Sequence, residues 1–188
     1  MFMSVVDGDF MQDADSVATA YWRAGVEAGV DAPAGQAVIG GAGDLGFLIT
    51  QAPLSGIGVL DCAPLIVPEN GWALRVDEVA FPVGAIAHRH THTGSGWRHL
   101  LRGELRIEAE HEVTVMTAGS SWFEPAHAPV RAVALQTTGV TRFLRCMVIP
   151  LADVGRSTFQ LVSPDDAGLP RLQVTHRHFD HIVQVDAG

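Results

Sequence analysis

Between residues 70 and 150 apolar and polar residues form short β-like runs at close spacing, at 72–81, 85–92, 97–101, 104–109, 112–116, 121–124, 130–136 and 142–149. Turn-forming residues separate nearly all of them: Pro82-Val83-Gly84, Gly94-Ser95-Gly96, Gly103, Ala118-Gly119 and Thr138-Gly139. The absence of any helical period between the runs predicts an antiparallel all-β sandwich or barrel. Glu108, Glu110 and Glu112 around His111 read as an exposed hairpin end. Upstream, Val17, Ala20, Tyr21 and Ala24 recur at helical spacing behind Asp15 or Ser16 as a cap, which predicts a short helix over 17–28 that follows a loose leader at 1–13. The Gly- and Pro-rich stretch 32–70 holds short apolar runs at 36–39, 47–50 and 58–60, as expected of loops and short strands wrapping a barrel.

A chain of 188 residues has the length of a single domain, and an apolar content of 47% with a mean hydropathy of +0.20 excludes a disordered one. Charged residues make up only 18%, so part of the surface is expected to be apolar or covered by a second subunit, which points to a homodimer. A net charge of −9 provides no basic stripe for phosphates and argues against nucleic-acid or anionic-membrane partners, leaving a small molecule as the expected ligand. Cys62 and Cys146 are too few for a disulfide framework; they read as reduced core thiols of a cytoplasmic protein, and neither a signal peptide nor a span of ~20 apolar residues is recognisable. Gly41, Gly43 and Gly46 fit a dinucleotide fingerprint with Asp61 downstream. Pro53, Ser55, Gly56 and Gly58 interrupt any following helix, however, so no nucleotide cofactor is expected.

The chemistry concentrates in residues 84–103, GAIAHRHTHTGSGWRHLLRG. On a regular strand His88, His90 and His92 share one face, and only adjacent members can chelate one ion, because His88 and His92 lie about 13 Å apart along a straight strand. Arg98, in phase with Gly96 and Leu100, would face inward and suit an anionic ligand; His99 has the opposite phase.

The spacing Gly84-x5-His90-x-His92-x3-Gly96-x6-Gly103 resembles the first cupin motif, and Gly119-x5-Pro125 resembles the second. The resemblance implies a double-stranded β-helix, the RmlC-like jelly-roll barrel, over about 72–150 of a single domain 1–188, with extensions at 1–71 and 151–188. It also implies a divalent ion (Zn, Fe, Mn or Ni) at His90 and His92. This chain departs from the pattern at two ligand positions, since the family's glutamate falls on Gly96 and its last histidine near Val130. His127 is the best local replacement, with Glu124 a carboxylate alternative, and His88 would be a polar wall residue or proton carrier of the same cavity. The tail cluster His176, His178, Asp180 and His181 reads as a solvated strand or an arm reaching a partner subunit. Two functions are open: a metal-dependent enzyme of oxygenase or isomerase type acting on an acidic substrate held by Arg98, or a non-catalytic binder or sensor without a tightly held ion. A barrel kept only for assembly is a third.

Overall fold

The computed structural model describes residues 1–7, 16–23 and 43–183. Fourteen strands run through these segments: β1 (Phe2–Asp7), β2 (Ser16–Trp22), β3 (Leu45–Thr50), β4 (Val59–Pro64), β5 (Trp72–Pro82), β6 (Ile86–His92), β7 (Ser95–Arg102), β8 (Glu104–Glu108), β9 (Val113–Thr117), β10 (Ser121–Glu124), β11 (Val130–Ala134), β12 (Val140–Pro150), β13 (Phe159–Leu161) and β14 (Val174–Val183). All eight strands expected between residues 70 and 150 are present as β5 to β12, their ends within a few residues of those runs.

Two antiparallel sheets, ordered β10-β7-β12-β5-β14 and β13-β6-β11-β8-β9, face each other as a jelly roll. Gly84 and Gly103 turn the chain at φ of 75° and 91°, a conformation that other residues adopt only with strain. Between the sheets lies an apolar cluster of Val79, Phe81, Leu105, Ile107, Trp122, Val130 and Phe143 with their neighbours.

The opposite face of the first sheet is apolar as well. Trp72, Leu74, Val76, Trp97, Leu144, Cys146 and Val148 pack there against Met3, Val5, Phe47 and Ile49 of a third sheet, ordered β2-β3-β1-β4. Trp97 Nε1 donates to the Met3 carbonyl at 2.8 Å, tying the layers together. Both faces of β5, β7 and β12 are thus covered.

Three sequence expectations need correction. The expected leader contains β1, the strand between β3 and β4 in the third sheet. The expected helix begins instead as β2, which pairs with β3 from Ser16↔Thr50 to Trp22↔Leu45; its Val, Thr, Tyr and Trp suit a pleated surface, and tertiary pairing overrides a sparse helical stripe. Residues 24–28 of that expectation, like the apolar run at 36–39, lie outside the described residues. Of the two forms expected of the tail, the strand is present and the arm is not: β14 pairs with β5 of its own chain, from Val174↔Ala80 to Val183↔Trp72. Together with β13 on β6, it widens each barrel sheet by one strand.

Candidate functional site: a cavity inside the barrel

A cavity of about 680 Å³ opens between the two barrel sheets. One half is walled by the apolar cluster, including Phe81, Leu105, Ile107, Trp122 and Phe143. The other half carries His90, His92, Arg75, Arg98, Glu124, Arg145 and Arg177, with Thr158 and Phe159 arriving on and just before β13.

His90 and His92 stand side by side, ring centroids 4.9 Å apart and nearly perpendicular. Their tautomers follow from their partners. His90 Nδ1 lies 2.7 Å from the His88 carbonyl and must donate to it, which leaves Nε2 as a lone-pair nitrogen. Arg145 Nη1 can only donate, so His92 Nε2 accepts from it at 3.3 Å, and His92 Nδ1 donates to Thr158 Oγ1 at 3.0 Å. Phe159 stacks on His90 with centroids 4.3 Å apart. Burial lowers the pKa of His90, although the Glu124 charge and the His88 carbonyl oppose the shift. Burial lowers that of His92 further, and the charges of Arg145 and Arg98 act in the same direction. Both rings are neutral at pH 7.

His88 does not join them. Val130 pairs with His90 and Ala132 with Ala87, so β6 has one more residue than β11 between these points. The bulge breaks the period of two, and Ala87, rather than His88, shares the cavity with His90 and His92. His88 is half-buried outside the lining, its Nε2 3.2 Å from the Pro170 carbonyl.

The expected third histidine is also elsewhere. His127 is exposed at φ 63°, the one non-glycine residue with positive φ among the described residues, and its N–H donates to the His92 carbonyl at 2.7 Å. That turn keeps the imidazole off the cavity wall. Val130, opposite His90, presents an apolar side chain where the resemblance places a histidine.

Gly96 is closed to any side chain, not merely without one. A β-carbon there would collide with the Cys146 carbonyl and lie 2.7 Å from Met147 Cα, both backbone atoms of β12. Glu124, paired with Gly96 across β10 and β7, brings a carboxylate to the cavity instead. It is already engaged, with Arg98 Nη2 at 2.7 Å from Oε2 and Trp122 Nε1 donating to Oε1 at 2.8 Å.

These donors do not fit a tightly held divalent ion. Among the described residues no three His, Cys, Asp or Glu side chains come together to hold one. The lone pair of His92 that would face a metal is turned to a guanidinium, and the nearest carboxylate is neutralised by another.

What the cavity does hold is arginine. All twelve basic residues of the chain are arginine, and six of them, Arg75, Arg98, Arg145, Arg156, Arg171 and Arg177, line this space. Arg98 is inward and buried, as its phase predicts; burial pushes its pKa down to about 10, with Glu124 opposing the shift. Its Nη1 donates to the Gly96 carbonyl at 2.6 Å. Arg75 spends its donors on structure, with two 2.7 Å bonds to Asp180 on β14 and bonds to the Arg156 and Asp153 carbonyls. Burial alone would raise the pKa of Asp180; hydrogen bonds from Arg75 and the Gly155 N–H, with the charges of Arg75 and Arg177, hold it below its usual value. Arg145 Nη2 donates to the wholly buried Asp77 at 2.6 Å, and Arg177 approaches the same carboxylate at 3.5 Å.

His176, His178 and His181 lie on β14, outside the cavity lining. Cys146 is buried on the outward face of its sheet, where burial pushes the thiol pKa up and leaves it unreactive. Sequence reasoning missed Arg75, Asp77, Arg145 and Arg177. The first three leave a trace, as single charges interrupting the apolar runs WALRVDEVAF and FLRCMVI. Arg177 sits in a polar tail and leaves none.

A jelly roll enclosing paired histidines in a deep cavity defines a cupin-type protein. A family model described as a cupin domain matches residues 77–145, which lie within the barrel. Among solved structures it is similar to an RmlC-like cupin from Shewanella frigidimarina, with 25% identity over 43% of this chain and 70% of that one, at a TM-score of 0.39. KdgF from Halomonas sp. is 23% identical over 43% of this chain and 74% of its own, at 0.39. The DMSP lyase DddQ from Ruegeria pomeroyi is 20% identical over 52% and 46%, at 0.42. No curated protein matches the chain. Among the described residues no helix is long and apolar enough to cross a membrane.

Proposed function

We propose that the barrel cavity binds a small anionic molecule through its guanidinium groups, without a tightly held metal ion. The observation that carries this reading is the gathering of half the chain's arginines in one cavity of a protein whose net charge is −9. Buried cations are retained where they have partners, and a low-dielectric wall strengthens their hold on an anion. Arg98, fixed by Glu124 and the Gly96 carbonyl, and Arg145, fixed by Asp77, are preorganised for that role. Neutral His90, with Nε2 left as an acceptor, can take a hydrogen bond or a proton from the bound molecule.

The metal-dependent alternative, an oxygenase or isomerase using Zn, Fe, Mn or Ni, draws on the two adjacent imidazoles, whose Nδ1 atoms are held by a carbonyl and a hydroxyl as in many metal-ligating histidines. The guanidinium at His92 and the pairing of Glu124 weigh against it.

One experiment separates the two. Tag-free protein is analysed for metals and then titrated with benzoate and benzamide at low ionic strength, with intrinsic tryptophan fluorescence as the signal. Saturable binding of benzoate but not benzamide, in protein with less than stoichiometric metal, is the expected result. Stoichiometric metal, or no discrimination by charge, would overturn the proposal.

A further inference from the structure

The two halves of the cavity differ in chemistry, and each restricts the ligand in its own way. In the polar half, four inner arginines, Arg75, Arg98, Arg145 and Arg177, face three carboxylates, Asp77, Glu124 and Asp180. The balance is one uncompensated positive charge, with Arg156 and Arg171 exposed at the mouth. The unmet donors are specific. Arg145 Nε and Arg177 Nε are buried with no hydrogen-bond partner, although Arg177 Nε lies 3.5 Å from Asp77 Oδ1, which is itself unbonded. Both Nε atoms are closed to solvent and do not themselves reach a ligand; what the two arginines offer an anion is the uncompensated charge of guanidinium groups that line the cavity.

The apolar half offers no such donors. Phe81, Leu105, Ile107, Trp122 and Phe143 are all buried, and the Trp122 N–H is already given to Glu124. A polyhydroxylated ligand would leave its hydroxyls unpaired against that wall, whereas an apolar body would displace poorly bonded water.

We infer that the ligand is an amphipathic monoanion: a single carboxylate or like acid seated at Arg145 and Arg177, with an aromatic or aliphatic body in the pocket of Phe81, Trp122 and Phe143. This rests on the anion-binding reading above and narrows it in two ways, to one charge and to an apolar body. A cavity of about 680 Å³ accommodates a body larger than one ring.

The test is a titration panel on the intact wild-type protein, followed by calorimetry: 1-naphthylacetate, its neutral amide 1-naphthylacetamide, malonate and glucuronate. The expected order places 1-naphthylacetate first, with each of the other three at least about tenfold weaker, since a charge-assisted hydrogen bond or a buried ring system each accounts for that factor. Tighter or equal binding of malonate or glucuronate would overturn this inference and leave anion binding standing. Equal binding of the amide would overturn the charge assignment. Failure of every anion to bind would overturn both readings together.

Discussion

Asp77 and Arg145 form the contact on which the polar half of the cavity depends, and removing one partner should behave unlike removing both. Asp77 is fully buried, its carboxylate 2.6 Å from Arg145 Nη2, with Arg177 as a second, longer contact at 3.5 Å. Two unit charges about 4 Å apart attract by roughly 4 kcal/mol at an effective dielectric of about 20. That figure agrees with the ~3–5 kcal/mol usually lost when one member of a buried pair is removed and the other stays charged. Arg145→Met should therefore take away a large fraction of a total stability on the order of 5–15 kcal/mol. The double variant Asp77→Leu/Arg145→Met removes both charges and fills the space with apolar atoms, so it should lie within about 1 kcal/mol of wild type or be more stable. The assay is urea denaturation followed by far-ultraviolet circular dichroism, with the m-value checked for each variant. Additive losses in the double variant, or a loss under about 1 kcal/mol in Arg145→Met, would show that Asp77 and Arg145 do not depend on each other for their burial.

Other outcomes follow from the same geometry. Gly96→Glu, which restores a carboxylate at the position the cupin motif assigns to a ligand, should lower stability by about 3 kcal/mol or more because β7 and β12 must separate, and should confer no binding of Zn or Co(II) by calorimetry. His127→Gly should raise stability by up to about 1 kcal/mol in the same urea assay, because glycine accepts a φ of 63° without strain, and should leave benzoate affinity unchanged. Burial lowers the pKa of His90, His92 and His99 below 6.5, so below that pH the unfolded chain takes up protons that the folded one refuses. Stability is therefore complete above about pH 6.5 and falls as pH drops, by at most about 1.4 kcal/mol per pH unit for each histidine that stays neutral. Urea midpoints measured from pH 8 to pH 5 should decline on the acid side, and a flat or rising profile would contradict the buried neutral imidazoles.

What the sequence determined by itself is the barrel. Short strand-forming runs between turn signals, with no helical period, define β5 to β12. The same local logic marked His90, His92 and the inward Arg98. It failed at His88, where a one-residue bulge, invisible in the pattern because Ala87 and His88 are both compatible with a strand, changes which side chain faces inward. It failed again at His127, whose proximity to the histidine pair along the chain gave no hint of a left-handed turn.

Only the tertiary structure decided what the cavity contains. Ser16–Trp22 is a strand because β3 lies beside it, and the tail is a barrel strand because β5 offers an open edge. Arg75, Arg145 and Arg177 meet because β12, β5 and β14 are neighbours, although these residues lie far apart in the chain. Pairing of opposite charges inside a protein depends on distances of a few ångströms, and those distances exist only once the strands have found their partners. The empty ligand position at Gly96 was legible as a missing carboxylate. That no side chain can return there, and that arginines hold the space around it, was fixed by the approach of β12.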